Sequence, residues 1–188
     1  MEEKQALELF LLTGTEEAFC ALFEVLYAKV RRYFLLRGLD RMTAEELGQN
    51  VMFIVYRRAG EVREKDLFYG WLFKVARNEL SRHWRQHRPQ GELVAFEPLS
   101  AELAARLTTE IEAARNSQFY EWMTYLEPAE RELIMLRFIE ELSYEELAVT
   151  FAIPLGTVKW RLFNAKKKLA QIICASSANY VTKPTSEL

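Results

Sequence analysis

The segment from Leu155 to Leu169 carries five basic residues and no acidic one. The cations are Lys159, Arg161, Lys166, Lys167 and Lys168. Two large aromatic residues, Trp160 and Phe163, are interleaved with them. Cations at this density can neutralise the backbone phosphates of a nucleic acid, and side chains between them can reach base edges in a groove. The segment therefore predicts a nucleic-acid contact, with a solvated basic helix of a bundle as the simpler alternative.

The sequence from 142 to 169 predicts two short helices joined by a tight turn. Ser143 can cap the first helix, and Glu146, three residues later, completes a capping box. Pro154 suits the start of the second helix, because its fixed φ and missing N–H cost little there. Val158 and Leu162 should pack inward. Another face carries Trp160, Phe163, Asn164 and Lys167. This is the pattern of a helix-turn-helix motif that places its second helix in the DNA major groove.

A second basic and aromatic segment lies in the helix predicted from Leu67 to about Gln86. Its cations include Lys74, Arg77, Arg82 and Arg85, and Tyr69, Trp71, Phe73 and Trp84 lie between them. Glu79 is the one acid in this stretch of sequence. Arginines that hold phosphates, beside rings that stack on bases, suit single-stranded or melting DNA. Core packing is the alternative for each ring taken singly.

The helix predicted to start at Thr43, as its N-cap, and to end near Gly60 has a polar side. That side carries Glu45, Glu46, Gln49 and Asn50, whereas Leu47, Val51 and Val55 fall on another. The polar side either docks on a basic surface of a partner or faces water.

No pattern favours catalysis. His83 and His87 have the i, i+4 spacing of metal ligands, but no third ligand of suitable type stands near them in the sequence. A Ser-His-Asp order, a glycine loop for phosphate and paired carboxylates are all missing from the sequence. We therefore expect no enzymatic activity, no cofactor and no metal.

The composition predicts an all-α protein. Half of the 188 residues are hydrophobic, glycine and proline number only 7 and 5, and apolar residues follow the helical period. The net charge of −2 argues against coating nucleic acid through bulk electrostatics. Without a signal peptide or the roughly 20 apolar residues that span a bilayer, we expect a cytoplasmic protein with no stable membrane insertion. Cys20 and Cys174 favour neither a disulfide framework nor a zinc site.

We expect two small helical domains joined by an acidic linker. The first domain, residues 1–90, contains a long amphipathic helix from Glu16 to about Arg37. Residues 91–118 are rich in glutamate and form the linker. Residues 119–173 form the second domain, which contains the helix-turn-helix motif. Residues 174–188 are a polar tail that we expect to be disordered.

Three segments in a fixed order resemble a known family. They are TAEELGQNVMFIVYRR, FYGWLFKVARNELSRHW and, after the acidic linker, LEPAERELIMLRFIEELSYEELAVTFAIPLGTVKWRLFNAKKKL. The chain is similar to bacterial RNA polymerase sigma factors of the sigma-70 family, in the small two-domain extracytoplasmic-function (ECF) group. The resemblance covers nearly all of residues 10–172, which makes it far more specific than a lone helix-turn-helix motif.

The resemblance implies that the protein binds core RNA polymerase, directs it to specific promoters and helps to open the DNA. The first domain would be sigma-2-like and would dock on the β′ clamp helices. The docking residues implied are Glu45, Glu46, Gln49 and Asn50. The loop from Gly60 to Phe68 would capture a flipped base of the minus-10 element. The minus-10 and melting residues implied are Arg63, Lys65, Tyr69, Lys74, Arg77, Asn78, Arg82 and Arg85.

The second domain would be sigma-4-like, recognising the minus-35 element and meeting the β flap of the polymerase. The recognition-helix residues implied are Thr157, Lys159, Trp160, Arg161, Phe163, Asn164 and Lys167. The linker would thread toward the RNA exit path. Relatives in this group usually have an anti-sigma factor, so we expect one as a partner here.

Four residues depart from the usual pattern of the family. Arg82 stands where an acid is common, Ala152 where the turn often has glycine, Trp160 where a serine is usual, and Asn164 where a basic residue is frequent. These departures affect which promoter sequence the protein would recognise, and they leave the implied role as a sigma factor unchanged. A free-standing helix-turn-helix regulator, which would bind DNA alone as a dimer, is the alternative function, and a helical adaptor without a DNA role is a third.

Overall fold

The computed structural model describes residues 3–87 and 119–181, here called the first and the second unit, and all regular elements in these two ranges are helical. The first unit contains α1 (Glu3–Thr13), α2 (Glu16–Leu36), α3 (Arg41–Arg58) and α4 (Phe68–His87), with 3-10 turns at Ala59–Glu61 and Lys65–Leu67. In the second unit residues 119–124 are helical and are followed by α5 (Pro128–Phe138), α6 (Tyr144–Phe151) and α7 (Leu155–Val181). The prediction of an all-α fold is confirmed, and the acidic segment 91–118 lies outside the described residues.

Helix α2 is the centre of the first unit, because α1, α3 and α4 all pack against it. Its predicted apolar stripe is buried, with Leu22, Leu26 and Val30 fully covered. Gly38 follows the helix with a φ of 82°, a conformation that favours glycine and ends the helix as predicted. The amino-terminal helix α1 was not predicted, and it covers α2 through buried side chains that include Phe10.

Helix α3 begins earlier than predicted, because Asp40 and not Thr43 is its N-cap. The Asp40 carboxylate accepts hydrogen bonds from the Thr43 hydroxyl at 2.6 Å and from the Thr43 backbone N–H at 3.0 Å. These two bonds lower the pKa of Asp40. A carboxylate at this position pairs free N–H groups and also interacts favourably with the helix dipole, so Asp40 takes the role predicted for Thr43.

Helices α6 and α7 form the predicted helix-turn-helix motif. The capping box is present: the Glu146 N–H donates to the Ser143 hydroxyl at 3.1 Å, and the Ser143 N–H donates to the Glu146 carboxylate at 2.8 Å. Ala152 ends α6 with a φ of 52°. The Pro154 carbonyl accepts from the Thr157 N–H at 2.9 Å, so Pro154 leads into α7 as predicted.

Helix α7 extends beyond the predicted boundary at residue 173 and ends at Val181. The expectation of a disordered tail is therefore wrong for residues 174–181. Ala175 and Ala178 are strong helix formers, and a helix already begun at Leu155 can be extended one hydrogen bond at a time.

The two units pack directly against each other, chiefly through α4 and α6. Their buried apolar side chains belong to one continuous cluster. Leu72 and Phe73 of α4 and Leu147 of α6 are among its fully buried members. Two helical units are thus joined by a shared core where they meet.

Replacing Ala152 with glycine should stabilise the protein by about 0.5–1 kcal/mol, because a Cβ is strained in the left-handed conformation. The free energy of unfolding would be measured by urea denaturation. Ala148→Gly within α6 is the matched control, and it should destabilise by about 1 kcal/mol because glycine weakens a helix interior. A destabilised Ala152→Gly variant would contradict the strain that the turn geometry implies.

Candidate nucleic-acid interface

The helix α7 presents its aromatic and basic residues to solvent. Trp160 and Phe163 are 65% and 63% exposed, which is high for such large apolar side chains. The opposite face is buried through Val158, Leu162 and Ala165, as predicted. Exposed members of the strip also include Lys159, Arg161, Lys166 and Lys167, whereas Thr157 and Asn164 are half-buried. The predicted recognition residues thus lie on the side of the helix that a groove could reach.

One cation of this strip has a partner inside the protein. The Lys168 ammonium lies 2.6 Å from a carboxylate oxygen of Glu130, which is on α5. This ion pair connects α7 to the helix beneath it. Lys168 is therefore less available to a phosphate than its neighbour Lys167.

Helix α4 carries an exposed stripe of polar and basic side chains. Lys74, Asn78, Arg82 and Arg85 are exposed, and their spacing places them along one face. The guanidinium of Arg82 lies 2.7 Å from a carboxylate oxygen of buried Glu79, four-fifths of a turn away on the same helix. This stripe is the part of α4 that single-stranded DNA could contact.

Arg77 lies on a different face of α4 from that stripe. Its Nε donates to the Glu132 carboxylate of α5 at 2.8 Å, and its guanidinium lies 4.5 Å from the centre of the Phe151 ring. Arg77 is thus engaged with the second unit.

Tyr69, another residue that the resemblance assigned to the minus-10 surface, is half-buried. Its hydroxyl donates a hydrogen bond to the Glu3 carboxylate of α1. Burial, and then this bond to Glu3, raise the pKa of Tyr69. The ammonium of Lys29 lies 5.6 Å from the centre of the Tyr69 ring. The unpredicted helix α1 therefore holds the Tyr69 hydroxyl, and α2 places Lys29 over the ring.

The loop before α4 is made of two 3-10 turns. Arg63 and Lys65 are exposed there, as a nucleic-acid contact requires. The turn Lys65–Leu67 also contacts α6 of the second unit. The loop is therefore exposed to solvent at Arg63 and Lys65, and α6 covers part of its second turn.

On the polar side of α3, one carboxylate is held in ion pairs and the other side chains differ in exposure. Glu45 accepts from Arg41 at 2.8 Å and lies 3.4 Å from Arg31, and the hydrogen bond from Arg41 is the main cause of its lowered pKa. Glu46 and Gln49 are exposed, and Asn50 is half-buried.

Two apolar residues extend this polar side and were missed from the sequence. Met42 is 78% exposed and Phe53 is 61% exposed. They lie four residues before Glu46 and four after Gln49, so all four share one face. Their helical spacing with Glu46 and Gln49 was the signal that could have found them. The four residues Met42, Glu46, Gln49 and Phe53 are called the α3 stripe below.

A metal site is not formed by the residues that the structure describes. The rings of His83 and His87 stack at 4.2 Å, and Nδ1 of His87 is 2.9 Å from the carbonyl oxygen of His83. Burial, then the neighbouring His87, lower the pKa of His83. Nowhere in ranges 3–87 and 119–181 do three His, Cys, Asp or Glu side chains group as ligands. Over the same part of the chain, no helix is long and apolar enough to cross a membrane.

Two family models match the chain. The model described as sigma-70 region 2 matches residues 22–90, and the model described as sigma-70, region 4 matches residues 117–169. The first match contains α3 and α4, and the second contains the helix-turn-helix motif.

Known sigma factors are similar to this chain over most of its length. The ECF RNA polymerase sigma factor RpoE of Cereibacter sphaeroides is 31% identical over 158 residues, which are 83% of this chain and 86% of the relative. The ECF RNA polymerase sigma factor BldN of Streptomyces coelicolor is 28% identical over 163 residues, covering 85% of this chain but only 62% of the relative. A solved structure of CnrH in complex with the cytosolic domain of CnrY shares the fold, with a TM-score of 0.59, 22% identity and coverage of 93% of this chain and 99% of that chain.

Two helical units, an exposed basic and aromatic helix and these two family matches together define a transcription initiation factor. The chain belongs to the sigma-70 family of RNA polymerase sigma factors, within its ECF group. Sigma factors of this family act in promoter-directed initiation of transcription.

The slope of log affinity against log salt concentration for duplex DNA is negative, and Lys167→Ala should reduce its magnitude by about 1, because one phosphate contact is lost. Lys168→Ala should lower it less, because Glu130 already holds that ammonium. Fluorescence anisotropy of a labelled duplex at several salt concentrations measures both slopes. Equal losses of slope would show that Lys168 leaves Glu130 to meet a phosphate.

Proposed function

We propose that the first unit of this sigma factor binds core RNA polymerase and the minus-10 region, while the second unit binds the minus-35 region. The observation that carries the proposal is the presence of two separate exposed basic surfaces, on α4 and on α7, in one chain. Residues 1–90 and 119–173 are the two functional domains and residues 91–118 connect them. The protein acts in the cytoplasm and adds no catalytic chemistry of its own.

The minus-35 element is bound by α7 in the major groove. Trp160 is large and exposed, so it meets a thymine methyl or needs an open stretch of groove. Asn164 can pair with the edge of an adenine, and Lys159 contacts a base or a phosphate near the start of the helix. Arg161, Phe163 and Lys167 complete the contact, and Thr157 supports the amino-terminal end.

The minus-10 element is bound by the first unit. Arg63 and Lys65 belong to the loop that captures a flipped base, and the exposed stripe of α4 follows the backbone of the separated strand. That stripe consists of Lys74, Asn78, Arg82 and Arg85. Arg77 and Tyr69 join this surface only when they are released from Glu132 and Glu3.

Core polymerase docks on the α3 stripe. Glu46 and Gln49 meet the cations of the β′ clamp helices, and Met42 and Phe53 supply the apolar anchors that stable interfaces need. Glu45 acts through Arg41 and Arg31, which it orients. The second unit contacts the β flap.

A protein partner regulates this chain as an anti-sigma factor. The structure of CnrH, which shares the fold, contains the cytosolic domain of a second protein, CnrY. Exposed apolar and basic surfaces of the two units are where such a partner would bind here.

Run-off transcription tests the role directly. Purified bacterial core polymerase with this protein should produce new transcript starts on a genomic fragment library, and those starts should share two spaced upstream motifs. Lys159→Ala should weaken binding at the upstream motif by about 1–3 kcal/mol if Lys159 contacts a base, and less if it contacts a phosphate.

If Lys159→Ala leaves the footprint over the upstream motif unchanged, α7 is not the recognition helix. Sequence-specific binding by the protein alone as a dimer would favour the free-standing regulator instead.

Glu46→Arg should weaken binding to core polymerase at least tenfold, because it places a cation against a basic docking surface. Surface plasmon resonance on immobilised core enzyme measures the affinity, and circular dichroism checks the fold. Glu24→Arg, an exposed acid on α2 with the same change of charge, is the matched control and should bind normally. Unchanged affinity of Glu46→Arg would refute docking through the α3 stripe.

A further inference from the structure

Two large apolar side chains lie in the middle of the basic face of α7. Trp160 is 65% exposed and Phe163 is 63% exposed. Helical spacing places Trp160 opposite the buried residues Val158 and Leu162, and it places Phe163 about 60° around the helix from Trp160. Both rings therefore point away from the core of the protein.

The rings of Trp160 and Phe163 have no partner within the part of the chain that the structure describes. Neither contacts another aromatic ring or a cation there. The exposed ring of Phe53 on α3, in contrast, has the Arg57 guanidinium 5.6 Å from its centre. Apolar area that stays exposed in one patch is typical of a binding surface. The two rings are thus available to a ligand.

The charges around the two rings indicate that this ligand is duplex DNA. Lys159, Arg161 and Lys167 are exposed on the same side of α7, and residues 155–169 contain no acid. Such cations can hold phosphates on both sides of a major groove, which is about 12 Å wide and admits a helix. The side chains between the cations then reach the edges of the bases.

The thymine methyl group is the apolar feature that base pairs present in the major groove. The other groups there are hydrogen-bond donors and acceptors, which a phenyl ring cannot pair. A guanine or cytosine edge under Phe163 would lose its water without a replacement, and that loss is unfavourable. A ring against a methyl group instead removes apolar area from water on both sides. The two rings therefore favour thymine.

The spacing of the two rings fits the step between base pairs. Residues three apart on a helix are displaced by about 4.5 Å along its axis. Base pairs follow each other every 3.4 Å or so along a duplex. With α7 in the major groove, Trp160 and Phe163 therefore reach neighbouring base pairs.

We propose that Trp160 and Phe163 contact the methyl groups of thymines on two neighbouring base pairs, and that these contacts determine which duplex sequence α7 prefers. The inference rests on the proposed function of α7 in binding the minus-35 element, and it names the groups that are recognised there. The cations around the rings supply affinity that does not depend on sequence, because phosphates are the same at every base pair.

The bound sequence is found first, by selection of duplexes from a randomised library with the full-length protein, alone and with core polymerase. The upstream motif should contain thymines on two neighbouring base pairs. Each thymine of that motif is then replaced by deoxyuridine, which keeps the hydrogen-bonding groups and lacks only the methyl group. Affinity should fall about fourfold at each of the two positions, the ratio expected when one methyl-sized group is no longer buried.

Variants of the protein assign each methyl group to one ring. Trp160→Ser should remove the effect of deoxyuridine at one position, and Phe163→Ala should remove it at the neighbouring position, because a contact can be lost only once. Trp160→Phe keeps an apolar ring without the indole N–H, so the effect should remain. All three variants should keep the salt dependence of the wild type, since none of them removes a cation.

Tyr125→Ala is the matched control for loss of an exposed aromatic side chain. Tyr125 is 67% exposed and lies in the turn before α5, outside the basic face of α7. This variant should respond to deoxyuridine at both positions as the wild type does.

The proposal is overturned if deoxyuridine leaves the affinity unchanged, or if its effects persist in both Trp160→Ser and Phe163→Ala. A selection that recovers no motif would overturn it as well. A motif bound by the free protein but not in the presence of core polymerase would count against the proposed function. The response to deoxyuridine would then still decide whether the rings contact methyl groups.

Discussion

The arrangement of the two units depends on the pairing of one buried carboxylate, that of Glu132. It is almost fully buried, and the hydroxyl and guanidinium groups that surround it all belong to the other unit. Burial, and then the charge of Glu132, raise the pKa of Tyr33, so the tyrosine stays a donor. A buried charge leaves few acceptable positions for its neighbours. These contacts help to hold α5 next to α2 and α4.

One consequence is that α4 serves two purposes on two faces. Lys74, Asn78 and Arg82 point to solvent, while Gly70 and Arg77 face α6 and α5. Seven residues separate Gly70 from Arg77, two helical turns, so both fall on the side that meets the second unit. The same helix can therefore present a basic stripe and lend an arginine to the contact between the units. Arg77 is thus engaged with Glu132 and is not part of the exposed stripe.

Much of the fold could be predicted because its signals are local. The apolar spacing that begins at Leu22 predicts α2, the pair Ser143 and Glu146 predicts the start of α6, and Pro154 marks the start of α7. Each depends on hydrogen bonds or packing within one or two turns of helix. The N-cap of α3 was assigned wrongly because Asp40 and Thr43 are both good capping residues, and only the geometry shows which one accepts.

The sequence was enough to predict α2, α3, α4, the helix-turn-helix motif and the chemistry of the basic and aromatic surfaces, because helical period and charge clustering are properties of neighbouring residues. It did not predict α1, which packs against α2. Only the packing of the helices decides which of the basic and aromatic residues are exposed and which contact other side chains. Arg77 and Arg82 look alike in the sequence, yet the first contacts Glu132, 55 positions away, and the second stays on the surface. Contacts between residues so far apart depend on how α4, α5 and α6 pack, and burial decides whether a charge meets water, DNA or another side chain.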